Sequence, residues 1–259
     1  MSKSATLTLR TVLLLGSMLA GLKGAQANPQ VYESLLDSTV CIVNPEEKSS
    51  GTGVVVDAEK RLVVTNYHVV GKASTVAVYF SAYNKEGNLE TNWKAYAGQF
   101  EELHFDRIAA VGKVIGTWEK RDLALVQLDV IPDDVEGVKL AERSIQPGQS
   151  IHSIGNPDAS DAMWVYSPGS VRAILHKSWK YDSGQKVESY AIETTSPINS
   201  GDSGGPVVND QGELVGINAS FSNYGRLFST AIDIREVRSL LDWHTQNVQA
   251  ANSPQLAQW

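Results

Sequence analysis

A single cysteine in 259 residues leaves Cys41 without a partner inside the chain, so the fold must be held by core burial and not by covalent staples. Cys41 sits in the run Ser38-Thr39-Val40-Cys41-Ile42-Val43 and reads as a small buried hydrophobe in a strand, not as a catalytic thiol. Basic charge is also scarce. With 22 Lys and Arg against 29 Asp and Glu, the net charge of -7 argues against a nucleic-acid partner. No zinc-spaced Cys/His cluster, metal-protease helix motif or phosphate loop occurs, so neither a metal nor an organic cofactor is expected.

Long apolar runs are missing too, except near the start. There Lys3 and Arg10 precede the stretch from Val12 to Ala20, and Ala25-Gln26-Ala27 has the small-x-small pattern of a cleavage site. Residues 1–27 read as a signal peptide cut after Ala27, because the apolar run is too short to span a bilayer comfortably. The expectation is an exported protein, periplasmic or secreted, with no stable membrane span after cleavage. Removing the segment leaves 19 basic against 29 acidic residues, a net charge of -10.

What the chain does contain is a succession of short β-branched runs between turn signals. After a helical lead-in at Val31–Asp37 and the strand around Cys41 come Gly53–Asp57, Leu62–Thr65, Thr75–Phe80, Ile108–Ile115 and Leu123–Leu128. A break at Ile131–Gly148 separates them from a second series at Ser150–Ile154, Trp164–Ser167, Ser170–Leu175, Glu188–Thr194, Gly205–Val208, Leu214–Ala219 and Arg226–Ala231. The reading is all-β, with two subdomains at about 35–130 and 145–231. Ile234, Val237, Leu240 and Leu241 recur at helical spacing behind Asp233 in cap position, which predicts a C-terminal helix over 233–246. The main domain then spans 28–247, and 248–259 is expected to be a loose tail. The polar stretch Ser81–Arg107, with Tyr83, Trp93, Tyr96, Phe100 and Phe105 interspersed, is longer than an ordinary connection and reads as an insertion, either facing a substrate or partner or decorating the surface.

The chemistry points to Asn199-Ser200-Gly201-Asp202-Ser203-Gly204-Gly205-Pro206. A hydroxyl is a poor nucleophile at neutral pH, so Ser203 needs a base, an orienter for that base, and donors aimed at the developing oxyanion. The flanking glycines let the amides of Gly201 and Ser203 turn toward one point and form that oxyanion hole. Of five histidines, His68 is the candidate base, because it follows the strand Leu62–Thr65 in Thr65-Asn66-Tyr67-His68 and can be aimed by it. His104, His152, His176 and His244 read as structural or exposed rings. Asp122 opens an apolar strand and is the candidate orienter, with Asp106 as the runner-up. The chain order His, Asp, Ser is wrong for an esterase of the α/β-hydrolase type.

With these residues in place the sequence resembles the chymotrypsin-like serine proteases, and within them the bacterial HtrA or DegP-like group. The matching segments are Gly51–Asp57, Thr65–Val70, Arg121–Leu125, Ile154–Pro157 and Ile198–Pro206. The resemblance implies two perpendicular six-stranded β-barrels with a cleft between them, and peptide hydrolysis through an acyl-enzyme. Ser203 would attack, His68 relay the proton, Asp122 orient His68, and the amides of Gly201 and Ser203 hold the oxyanion.

Three features depart from the pattern. Asp202 stands where the HtrA group usually has Asn. Digestive enzymes pair such an Asp with a newly made N-terminal amine, but no Ile-Val-Gly-Gly activation site occurs here, so Asp202 is expected to find backbone amides or an Arg instead. Too few residues follow the terminal helix for a PDZ domain, which the group normally carries. The insertion at 81–107 is the third. By the same resemblance Pro197, Ile198, Ala219 and Phe221 would line the specificity pocket and favour small or medium aliphatic side chains. The function implied is a serine endopeptidase acting on proteins or peptides; the alternative is a catalytically silent protein that keeps the fold and binds.

Overall fold

Residues 27–158, 160, 162–221 and 228–252 are described by a computed structural model of the chain. The expected signal peptide, up to residue 26, lies outside the described residues, as do 253–259. Helix α1 (Pro29–Leu36) begins at a proline whose missing N–H costs nothing in a first turn, and Asn28 caps it by accepting from the Val31 amide.

The first barrel is closed by β1 (Thr39–Asn44), β2 (Ser49–Asp57), β3 (Leu62–Thr65), β4 (Thr75–Phe80), β5 (Ala109–Trp118) and β6 (Leu123–Leu128), in the order β1-β2-β3-β6-β5-β4. Two-residue alternation assigns its faces. Val55, Val63 and Val126 pack inside with Ile42, Val78 and Phe80, whereas Val54, Val64 and Leu125 face a larger cluster shared with the second half. Because both faces are covered over Leu62–Val64 of β3 and Leu123–Val126 of β6, these segments read as unbroken apolar runs. Each fully buried aliphatic side chain contributes about 1.5–3 kcal/mol, and this is how the fold does without a disulfide.

The second half contains β7 (Ser150–Gly155), β8 (Val165–Tyr166), β9 (Gly169–Lys180), β10 (Lys186–Thr194), β11 (Pro206–Val208), β12 (Leu214–Phe221) and β13 (Ser229–Asp233). Its order is β11-β12-β13-β10-β9-β7-β8, and a further pairing of β11 with β7 closes six of these strands into a ring with the two-residue β8 attached. Ile151, Val171, Ile192, Val207 and Val215 fill this second barrel. Several predicted strands prove longer: β9 runs to Lys180 and β5 to Trp118, because their outer residues are polar or solvent-facing and break the apolar pattern. The strand expected at Arg226–Ala231 is Ser229–Asp233, its first two residues lying outside the described set.

One expectation is corrected. Helix α4 (Ile234–Asn252) continues well past 246, so the loose tail predicted from 248 does not begin there. Ile234, Val237 and Leu240 anchor its first turns, and Thr245 and Asn247 return side-chain hydrogen bonds to the carbonyls of Leu241 and Trp243. The last turns are exposed, so no apolar period marks them. The insertion is likewise ordered structure: Trp93–Ala95 forms a 3-10 turn, α2 (Tyr67–Val70) precedes it in the chain, and α3 (Phe100–Phe105) follows it. Tyr96, 1% exposed, meets Tyr79 and Trp164 edge to face, and its hydroxyl donates to Glu90 O while accepting from the Ala82 amide. The Met163 amide donates to Thr91 O, which fastens the insertion to the second half.

Candidate active site

His68 is aimed by its backbone. Strand β3 stops at Thr65, the chain turns at Asn66, and α2 presents the imidazole within one turn. Asn66 Nδ2 donates to the Asp122 carbonyl at 2.9 Å, which ties the start of α2 to the start of β6. Asp122 itself is fully buried and adopts a left-handed conformation, φ 55°, directly after the turn Glu119–Arg121. A non-glycine residue held there is strained, and such strain persists where the surroundings over-determine it.

Here four donors do so. Asp122 Oδ1 accepts from the His68 amide at 3.0 Å and Oδ2 lies 2.8 Å from His68 Nδ1. Tyr181 Oη donates to Oδ2 at 2.7 Å, and Gln185 Nε2 donates to Oδ1 at 3.2 Å. The buried carboxylate is thereby satisfied, and the imidazole is fixed with its other nitrogen directed outward. Asp106, the alternative orienter, ends α3 at the exposed surface.

Ser203 comes from the second half and is fixed against the first. The Thr52 amide donates to Ser203 O at 2.8 Å, and the Thr52 hydroxyl donates to Gly201 O at 2.7 Å while accepting from the Asn156 amide. Glycine is required at 201 and 204: both have positive φ, and a Cβ would lie 2.2 Å from Asn156 O or 2.0 Å from Thr52 O. With Gly201 O and the Asp202 amide engaged elsewhere, the amides of Gly201 and Ser203 meet no protein acceptor among the described residues. Ser203 Oγ donates to Ala219 O at 3.2 Å. His68, Ser203, Ala219 and Tyr181 line one open cleft of about 980 Å³.

The four residues expected in the specificity pocket part ways. Ala219 lines the cleft, Pro197 is exposed, and Ile198 is buried without reaching the cleft lining; the side chain of Phe221 lies outside the described residues. Of the remaining histidines, His152 is fully buried between Tyr166 Oη and Asp210, and His104 pairs with Asp129 at the surface.

Tyr181 and Gln185 are the residues that sequence reasoning missed. They occupy the β9–β10 turn, 59 and 63 residues from Asp122, and only tertiary closure brings the turn onto the opposite barrel. The Tyr181 ring also packs on His68 with centroids 4.8 Å apart. Removing the hydroxyl takes away one of the four donors that hold the Asp122 carboxylate against His68. Tyr181→Phe is therefore expected to lower peptide kcat/KM by about tenfold. Steady-state kinetics on both proteins check this.

Asp202 finds a backbone amide, as expected, and no arginine among its described partners. Oδ2 accepts from the Asn199 amide at 2.7 Å, while Oδ1 is buried without a hydrogen-bond partner among the described residues. Burial, with Asp158 adding to it, pushes this carboxyl up to about 6. The unfolded chain ionises it near 3.8, so raising pH from there through 6 costs folded-state stability, up to about 3 kcal/mol. Asp202→Asn is expected to melt several degrees above the parent at about pH 7.5 and close to it near pH 3.5, where the parent's carboxyl is largely protonated whether folded or unfolded. Thermal denaturation across that range reads the difference.

A family model described as a trypsin-like peptidase domain matches residues 51–217, a span that holds His68, Asp122 and Ser203. The chain belongs to this family. Within the trypsin-like peptidases its similarity runs to the HtrA/DegP group. The periplasmic serine endoprotease DegP of Salmonella typhimurium is 35% identical over 173 residues, covering 66% of this chain and 30% of DegP. The serine protease Do-like HtrA of Bacillus subtilis is 27% identical over 202 residues, covering 75% of this chain and 38% of the relative. The chain thus spans about a third of the length of these curated relatives. Among solved structures, the active form of the Rv3671c protease from M. tuberculosis superposes with a TM-score of 0.64 at 20% identity, over 82% of each chain. A serine endoprotease from Yersinia pestis gives 0.60 at 19% identity, over 85% of this chain and 67% of that one. At such identities the likeness shows the fold alone, two β barrels as the resemblance implied, with the terminal helix that the apolar spacing at 234–241 predicts.

Proposed function

We propose that this trypsin-like peptidase is an exported serine endopeptidase that hydrolyses proteins or peptides through an acyl-enzyme. The observation that carries the proposal is the buried Asp122 carboxylate bonded to His68 Nδ1 in the cleft that Ser203 also lines. In this reading a modest rotation takes the Ser203 hydroxyl from Ala219 O to His68 Nε2, as substrate replaces the resting contact. His68 accepts the proton as Oγ attacks the scissile carbonyl, and Asp122 stabilises the imidazolium. The unengaged amides of Gly201 and Ser203 receive the oxyanion, where each such donor is worth about a hundredfold to a thousandfold in turnover. His68 then protonates the leaving amine, and water repeats the sequence in reverse.

The resting bond from Ser203 to Ala219 O also favours the second reading, a binding protein whose hydroxyl is never activated. A fluorophosphonate probe separates the two. The protease reading expects covalent labelling of Ser203 in folded protein; absence of labelling under all conditions tried supports the binder. For the acyl-side residue the proposal is a small or medium aliphatic side chain, supported by Ala219 in the cleft. A peptide-library digest dominated by Lys, Arg or Glu at that position would overturn it. Export is supported by residues 1–27 and by the periplasmic name of the Salmonella relative; an N-terminus at Asn28 in protein recovered from the periplasm or medium is the expected result.

A further inference from the structure

A second cavity, of about 430 Å³, adjoins the nucleophile loop. Its apolar lining comes from Cys41, Val43, Trp93 and Met163, and two exposed lysines, Lys48 and Lys94, stand over it. Asn156 and Asp158 connect it to the reactive centre. The Asp158 amide donates to Ser200 O at 2.9 Å, and the Asn156 amide donates to Thr52 Oγ1, which in turn donates to Gly201 O. The cavity therefore begins one hydrogen bond from the loop that carries Ser203.

A strand edge at Ser49–Gly51, with no strand paired to it on the side away from β1 among the described residues, leads into it. The Thr52 amide, which donates to Ser203 O, points away from β1, where Thr52 stands opposite Cys41. Backbone direction alternates along an antiparallel strand, so the N–H and C=O of Ser50 face the same way, two residues nearer the cavity. Beside them Ser49 Oγ is shielded from solvent and has no hydrogen-bond partner among the described residues. The lysines that form ion pairs among the described residues are Lys60, Lys139 and Lys177, so Lys48 and Lys94 are available to a ligand. One carboxylate, Asp158, shares the lining and accepts from the Ser50 hydroxyl, leaving the rim with a surplus of positive charge.

We propose that this cavity receives the leaving half of a peptide substrate, a segment bearing an apolar side chain followed by an acidic one, laid as an added strand against Ser49–Gly51. The proposal rests on the protease reading, which seats the acyl half beside Ala219 and sends the rest of the substrate past Ser50. Backbone pairing along a free edge supplies affinity, and the pocket beneath alternate side chains supplies selectivity. Trp93 and Lys94 belong to the insertion at 81–107, which the Asn92–Ala162 bridge and the Thr91 carbonyl hold in place. The insertion thus becomes the wall that selects the substrate.

The test uses one acyl half throughout. Internally quenched peptides continue it with Leu-Glu, Leu-Lys or Gly-Gly, and an aminocoumarin amide ends it with no leaving-side residues. For the mature protein kcat/KM is expected to fall from Leu-Glu to Leu-Lys by about threefold and from Leu-Glu to Gly-Gly by about tenfold. The double variant Lys48→Glu, Lys94→Glu, which alters only exposed side chains, is expected to invert the preference between Leu-Glu and Leu-Lys. Trp93→Ala is expected to bring Leu-Glu down toward Gly-Gly. Aminocoumarin turnover stays unchanged in both variants. Equal rates on all three peptides, or variants that lower aminocoumarin turnover in parallel with the peptides, would overturn the subsite. Failure of the parent to cleave any of the four substrates would instead overturn the protease reading beneath it.

Discussion

Replacing Ser203 with alanine is expected to lower peptide hydrolysis by about a millionfold while leaving the melting temperature close to that of the parent. The size follows from the role: without the hydroxyl no acyl-enzyme forms, and the remaining rate is that of water attacking a carbonyl held by the two free amides. The fold should tolerate the change, because among the described residues Ser203 Oγ makes one hydrogen bond, of 3.2 Å to Ala219 O, and the structural bond of this residue, from the Thr52 amide, is made by its backbone. Activity and unfolding measured on one preparation check both halves. A Ser203→Ala protein that still cleaves at more than about a hundredth of the parental rate would locate the nucleophile elsewhere.

Asp122→Asn is expected to cost about ten-thousandfold in turnover. Asparagine suits the left-handed backbone at this position and keeps one acceptor oxygen, so the geometry survives. The chemistry does not. An amide nitrogen facing His68 Nδ1 favours the tautomer that directs a proton, not a lone pair, at Ser203. The defect should ease at alkaline pH, where the hydroxyl is activated without the imidazole; a pH-rate profile of the variant against the parent measures this. Loss of folding at neutral pH would be a different result, pointing to a mainly structural role for the four donors gathered on this carboxylate.

Much of this arrangement is legible in the chain. Leu62–Val64 and Leu123–Val126 are covered on both faces, so burial itself writes an unbroken apolar word at those positions. Gly201 and Gly204 mark backbone that other residues cannot follow, and that flags the turn around Ser203. Legibility fails where the cause is tertiary. Nothing local to Tyr181 or Gln185 announces that a turn between two strands reaches the carboxylate of the other barrel. The resemblance to the family places Pro197 and Ile198 near the cleft, but it does not give side-chain direction, and in the structure one faces solvent while the other is buried. The end of α4 hides for the opposite reason: exposed helical turns carry no periodic apolar signal. The insertion at 81–107 reads as polar because its ordering depends on a few aromatic contacts, Tyr96 above all, and not on a continuous core of its own.

The bond between the Thr52 amide and Ser203 O, with the Thr52 hydroxyl reaching Gly201 O, joins β2 of the first barrel to the loop that precedes β11 in the second. The groups of the proposed site are divided between the barrels: the His68 imidazole and the Asp122 carboxylate belong to one, the Ser203 hydroxyl and the amides of Gly201 and Ser203 to the other. On the protease reading, a half-folded molecule would therefore be harmless to its neighbours until the two barrels have docked. The seam between the barrels is in this sense a safety catch, released by successful folding itself.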